Sequence, residues 1–286
     1  MFKLYREAFK VTNDGIVLAI PLTLFWWLIT MYIGYSRAVV DSVPEVVLSA
    51  VTMIFMASTF FSGWFYLVKK CITFSSKEFI LDKDRKKETL QLIKAIPEGI
   101  GKYFLHYVTA SMLFVAIALL IVFLIKVLSF DSVRTINGIL IEYGLTSDSV
   151  NEVKTGLDNL SQDAVFQIFN KMFYPAIKLA AVVFIVPAIF SFLLMLWMPE
   201  IIYTGKNPFV AIFTSIKKIF KHFGKSLKIF IYITIIQMIL SFISPFSLLN
   251  IIFYMLMMLL YFYFLVYVVV LVFVYYETTF EQNITK

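Results

Sequence analysis

Four side chains in this sequence are of the types from which reaction centres are built: His106, His222, Cys71 and Glu200. His106 falls near the start of an apolar run, where a lone imidazole is ordinarily structural. His222 sits among lysines and reads as solvated. Cys71 neighbours Lys69 and Lys70, and nearby cations lower a thiol pKa and make it reactive. The same position suits an unreactive interfacial cysteine, which is the reading adopted. Glu200 stands at the edge of an apolar run, placed to pair with Lys206 or to cap a helix start. Together, Glu200 and His106 would make the acid–base pair of a lipid-modifying enzyme. No Walker loop, HExxH, GxSxG or GxGxxG accompanies them. A single cysteine forms no internal disulfide and no multi-thiolate metal site. The titratable groups do not converge, so no catalytic residue, cofactor or metal is assigned, and the chain is read as non-enzymatic.

Composition decides which elements would position such groups. Of the 286 residues 61% are hydrophobic and only 15% charged, with 31 Phe, 16 Tyr and 4 Trp. Soluble domains carry about a quarter charged residues, and no globule of this size hides so much apolar surface. Lipid must therefore replace water around most of the chain. A hydrocarbon core of about 30 Å takes about 20 helical residues. Six runs qualify or nearly qualify: 16–35, 46–68, 103–127, 176–198, 227–243 and 248–276. Phe and β-branched residues are frequent in them, but a lipid-exposed span must satisfy its own backbone, so helix is predicted. The runs lack the period-two alternation of an outer-membrane barrel. The expected fold is all-α: one integral membrane domain, 1–286, with six transmembrane helices, interfacial amphipathic helices and a helical exterior loop. Trp64, Tyr66, Trp197, Tyr275 and Tyr276 close spans and suit the interfacial belt, whereas Trp26 and Trp27 are expected inside the bundle. Ser58, Thr59, Ser62 and Gly63 set small residues four apart, which allows close helix approach.

Lys and Arg set the orientation. Residues 1–15, connector 69–102, connector 199–226 with the start of span five, and the tail together hold 19 of the 25 basic residues. The opposite segments hold four, Arg37, Arg134, Lys154 and Lys171, while Lys126 and Lys178 lie where they can snorkel. This asymmetry places both termini in the cytoplasm, and the chain in the inner membrane of a bacterium. The first span is longer than a signal-peptide core and lacks a small-residue cleavage pattern, so it is expected to be retained.

The exterior connector 129–171 is acidic, and Ser149-x-x-Glu152 fits a capping box. Val165, Ile168, Phe169, Met172 and Phe173 recur at helical spacing, which predicts a short helical hairpin lying on the outer leaflet as a lid or partner-binding cap. Asn159-Leu160-Ser161 is a glycosylation triplet, meaningful only in a eukaryotic host. On the cytoplasmic side, Asn207-Pro208 reads as a helix start. Phe209, Ile212, Phe213, Ile216, Ile219, Phe220 and Phe223 then form an apolar face, against Lys217, Lys218, Lys221 and His222. Such a helix lies in the membrane plane and favours anionic headgroups. Lys86 and Lys87 continue the pattern against Leu90, Ile93 and Ile96, and Lys3, Arg6 and Lys10 repeat it against Phe2, Tyr5 and Phe9. Each piece reaches a glycine (Gly15, Gly101, Gly224) and precedes two spans, which suggests a threefold internal repeat.

In the stretch 199–215, Glu200, Gly205, Pro208, Ala211 and Ser215 follow a pattern: an acidic exit from a span, a glycine, then an Ala-x-x-x-Ser helix leading to the next span. This resembles the membrane domain attached to some bacterial glycerophosphodiester phosphodiesterases, and several uncharacterised six-helix relatives. The resemblance implies the six-span layout and no activity, because the phosphodiesterase chemistry of those proteins belongs to a separate soluble domain.

The expected function is that of a non-enzymatic scaffold, a lipid-organising protein or the membrane subunit of a complex. Its expected partner is the bilayer, through anionic headgroups touching Lys86, Lys87, Lys217, Lys218 and Lys221, with a protein partner or homo-oligomer besides and no nucleic acid. The alternative is a transporter or channel for a small or amphipathic solute. Pro21 and Pro187, the latter interrupting span four, motivate it, with a path between spans one, four and six; Gln237 is the most polar mid-span group. Against it, no ionisable residue lies at mid-depth, and one glutamine ordinarily makes an interhelical hydrogen bond.

Overall fold

A computed structural model describes residues 2–15, 18–75, 82–145, 160–245 and 250–281, and of residues 82–91 and 93 the backbone only. Every element among them is helical. In chain order they are α1 (Phe2–Asp14), α2 (Ala19–Val39), α3 (Val43–Ser75), α4 (Asp82–Glu142), α5 (Gln162–Leu194), α6 (Trp197–Thr204), α7 (Pro208–Lys221), α8 (Phe223–Ile243) and α9 (Ile251–Tyr276), followed by a π-helical segment, Glu277–Glu281. Among the described residues six helical stretches are long and apolar enough to cross a membrane: Ala19–Val39, Val43–Ser75, Lys94–Glu142, Gln162–Thr204, Phe223–Ile243 and Ile251–Glu281. The chain is an all-α, multi-pass membrane protein. The Ser149 capping box, Asn159 and the side chains of Lys86 and Lys87 lie outside the described residues.

The chain forms two compact units, 1–113 with 193–286, and 114–192. In the first, small residues set the helix contacts. Ser58 and Ser62 are buried in α3, whereas Thr59 is exposed. The Ser58 and Ser111 hydroxyls lie 3.1 Å apart across α3 and α4. Farther along the same pair, Gly63 meets Gly99: a Cβ built on Gly99 would stand 3.1 Å from the Gly63 Cα, 2.9 Å from the Ser62 carbonyl oxygen and 2.6 Å from the Tyr66 Cβ. Only residues without side chains allow the backbones so close. Next to this crossing the Phe65 ring stacks on Tyr107 and on Phe273, each at 5.7 Å.

The aromatic residues depart from expectation in both directions. Trp26 and Trp27 are each 56% exposed rather than packed inside. Only Leu22 of α2 is buried, so most of that helix faces outward, and in lipid an outward indole carries no hydrophobic penalty. Conversely, Trp64, Tyr66, Trp197, Tyr275 and Tyr276 are buried rather than belt residues. Protein groups take up their polar edges. Trp64 Nε1 donates to the Leu18 carbonyl at 2.9 Å, Trp197 Nε1 donates to the Pro208 carbonyl at 3.0 Å, and Tyr66 donates to Glu98. A satisfied ring of this kind gains nothing from headgroup water.

In the second unit, α4 and α5 run on through the segments predicted to form a separate surface hairpin. The expected apolar spacing buries Ile168 alone of its five residues. Ile168 packs with Ile139 and Leu145, while Leu140, Tyr143, Leu160 and Met172 lie against them. Lys171 donates to Glu142 at 2.7 Å beside this cluster. Helix α5 continues through Pro187, and the break in span four falls later, at the turn 195–196 before α6. A proline inside a span needs only local repair of one hydrogen bond, which neighbouring groups provide.

Candidate functional site

The short helix α6 ends at Gly205, whose φ of 65° is the left-handed conformation that favours glycine; its N–H donates to the Ile201 carbonyl at 2.9 Å. Asn207 then caps α7, its side-chain oxygen accepting from the Phe209 N–H at 3.0 Å, with Pro208 at the first helical position. This turn folds α7 back on α6. The stripe that packs inward is Pro208, Ala211, Ser215 and Ile219, all buried. Residue 218 shares that side of the helix, one turn beyond Ser215. The Ala-x-x-x-Ser spacing therefore marks a contact face, and the face expected to be uniformly apolar divides: Ile219 turns in, while Phe209, Phe213, Phe220 and Phe223 turn out.

Glu200 is the centre of the arrangement, fully buried at 0% exposure. One carboxylate oxygen accepts from Lys218 Nζ at 2.6 Å and from the Tyr276 hydroxyl at 2.7 Å. The other accepts from Lys206 Nζ at 3.2 Å. Lys218 also donates to the Tyr276 oxygen at 2.5 Å and stands 4.4 Å from the centre of that ring. A single buried negative charge thus has three donors on it from α7, α9 and the turn before α7, which is the condition under which a buried ion survives. Around it the pattern repeats in looser form. Tyr203 donates to Glu277 at 2.6 Å and stacks on Tyr276 at 5.1 Å. The Ile202 carbonyl, in the last turn of α6 and without an intrahelical partner there, accepts from Tyr103 of α4 at 2.9 Å and Lys69 of α3 at 3.3 Å. Lys69 lies 4.4 Å from the centre of the Tyr203 ring. Five helices are joined through α6 in this way.

The predicted residues are sorted by this geometry. Glu200 pairs with Lys206 and, closer, with Lys218. Lys218 serves the interior; Lys217 and Lys221 are exposed. His106 packs edge-on against Tyr103 at 6.2 Å and is not among the partners of Glu200, so the two are not brought together. Cys71 is buried. His222 joins α7 to α8 and meets the edge of Phe280 at 5.2 Å. Its partial burial, with the charges of Lys225 and Lys221 close by, lowers its pKa below the usual imidazole value. Pro187 lies within α5, in the second unit. Gln237 is exposed on α8 and makes no hydrogen bond among the described residues, contrary to the interhelical bond expected of it. Tyr276 was missed because it lies 76 residues from Glu200, and Tyr203 and Lys69 because their partners, Glu277 and the Ile202 carbonyl, are likewise remote in sequence.

Among the described residues no three His, Cys, Asp or Glu side chains gather where they could hold a metal ion. The Glu200 cluster presents a carboxylate already saturated by donors, an arrangement suited to holding helices in register. The outer side of the same region is different in character. Lys217 and Lys221 of α7 and Lys225 and Lys228 of α8 are all exposed, and none has a carboxylate within ion-pair distance among the described residues. Exposed phenylalanines accompany them, Phe213 at 73% and Phe220 stacked on Phe223. Comparison with family models, curated proteins and solved structures finds no match for this chain.

Proposed function

We propose that this chain is a non-enzymatic protein of a bacterial cytoplasmic membrane, with both termini in the cytoplasm, that gathers anionic lipid around itself as a scaffold or as the membrane subunit of a complex. One observation carries the reading: Lys217, Lys221, Lys225 and Lys228, with no carboxylate partner among the described residues, stand exposed beside outward-facing Phe209, Phe213, Phe220 and Phe223. Uncompensated cations next to apolar rings match the boundary between anionic headgroups and acyl chains. The weight of Lys and Arg on this side supports the cytoplasmic orientation, as does the pattern from Glu200 to Ser215, which resembles six-helix proteins of bacterial inner membranes.

The test is lipid selectivity after reconstitution. Spin-labelled phosphatidylglycerol should associate with the protein severalfold more strongly than spin-labelled phosphatidylcholine, and less so at high salt. Changing Lys217, Lys221 and Lys225 together to Ala should bring the ratio close to one. Equal association of the two lipids with the unaltered protein would overturn the proposal.

A further inference from the structure

Beyond Lys225 and Lys228 at its start, the polar side chains of α8 other than Gln237 and Ser241 are provided for. Ser226 shares a hydrogen bond with Tyr275 at 2.9 Å, Tyr232 with Tyr267 at 3.2 Å, and Thr234 donates to the Phe230 carbonyl at 2.9 Å. Gln237 and Ser241 are exposed and make no hydrogen bond among the described residues. Four residues apart, they occupy one side of the helix. Gln237 follows the exposed Lys228 by nine residues, which is about 14 Å along a helix axis. In a hydrocarbon core about 30 Å thick, that is its middle. No water is available there, and an amide left facing acyl chains is strongly unfavourable.

We propose that this face of α8 is the contact between two copies of the chain, with Gln237 hydrogen-bonded to Gln237 of the second copy. Two properties select a second copy as occupant. A carboxamide carries both donor hydrogens and an acceptor oxygen, so it is its own complement. Two copies inserted in the same direction are related by an axis along the membrane normal, which sets each residue opposite itself at the same depth. Ser241, one turn along, is small enough for the helices to close on each other, and the exposed Met238 beside Gln237 can fill irregular space. The inference needs only that the chain crosses the membrane, and it stands whatever lipid the lysines prefer.

The experiment is paired cross-linking and association in membranes. In a Cys71→Ala background, Ser241→Cys should oxidise to a disulfide-linked dimer. Ile235→Cys, exposed on the far side of the helix, should link much less. Fluorescence energy transfer between labelled copies in liposomes should show association that falls about tenfold for Gln237→Leu and is kept by Gln237→Asn. The leucine places an apolar side chain toward lipid, so an unchanged melting temperature will show that the monomer still folds. Three results would overturn the proposal: equal linking at both positions, unchanged association of Gln237→Leu, or linking of Ser241→Cys to another protein alone.

Discussion

Lys218 is the side chain whose role the fold alters most, and its replacement separates an interior role from a surface one. Lys218→Met keeps the length and apolar stem but removes the ammonium that touches Glu200 at 2.6 Å and the Tyr276 oxygen at 2.5 Å. Removing one partner of a fully buried pair costs about 3–5 kcal/mol. Here the loss is smaller. The Lys218 side chain retains 22% exposure and Lys206, itself 41% exposed, stays on the other carboxylate oxygen. About 2–3 kcal/mol is expected, read from unfolding in mixed micelles. Glu200→Gln should also destabilise, because it leaves Lys218 without its counter-charge. The double variant Glu200→Gln/Lys218→Met should lose less than the two single losses added together, by about 1 kcal/mol or more, as contacting residues do. Lipid selectivity should hardly change in Lys218→Met, in contrast to the surface lysines. A variant of unaltered stability but lowered phosphatidylglycerol selectivity would refute this reasoning and put Lys218 back among the headgroups.

Gly99→Ala should destabilise by about 1–3 kcal/mol, because its Cβ would stand 2.6 Å from the Tyr66 Cβ and 2.9 Å from backbone oxygen. Gly101→Ala, two residues on with nothing within 4 Å, should be neutral or stabilising by up to about 1 kcal/mol, and thermal melting of both variants side by side checks the pair. The buried Tyr107 hydroxyl has no hydrogen-bond partner among the described residues, so Tyr107→Phe should leave unfolding free energy unchanged or raise it by about 1 kcal/mol. His222 binds a proton less readily in the fold than in the unfolded chain, so its contribution is present above the ordinary imidazole pKa and is lost as pH falls below it. Melting temperatures from pH 8 to pH 5.5 should therefore decline less steeply in His222→Gln than in the unaltered protein.

The helical, membrane-crossing character was legible in the sequence because the backbone has so few ways of existing in lipid. Local chemistry was legible too: Asn207-Pro208 starts α7, and the small residues 58, 62 and 63 bury against α4. What eluded the sequence was direction. In water an apolar residue points inward, but in lipid Trp26 can face out while Trp64 faces in, and nothing in residue type distinguishes them. The same ambiguity hid Lys218 within a row of lysines. Its inward position follows from Ala211 and Ser215, a turn or two earlier on the same side, and small residues in an amphipathic helix are the signal that would have revealed it. Of the partners of Glu200, Lys206 was legible six residues on, whereas Tyr276, 76 residues away, could not be found locally.

A common physical solution emerges at the three amphipathic segments. Ala8 and Thr12 in α1, Ala95 and Gly99 in α4, and Ala211 and Ser215 in α7 are buried pairs of small residues four apart. An amphipathic helix at the membrane surface has its large apolar side chains committed to lipid, so it can hold the ends of the spans only by a second, narrow face. Small residues supply that face because they bring backbones together without competing for the apolar surface. The division of labour in α7 follows directly. Ala211, Ser215 and Lys218 fasten the helix to α6 and α9, which leaves Phe213, Phe220, Lys217 and Lys221 exposed on its other sides. A lysine one position removed from another can therefore belong to the interior of the protein, where its charge holds helices together.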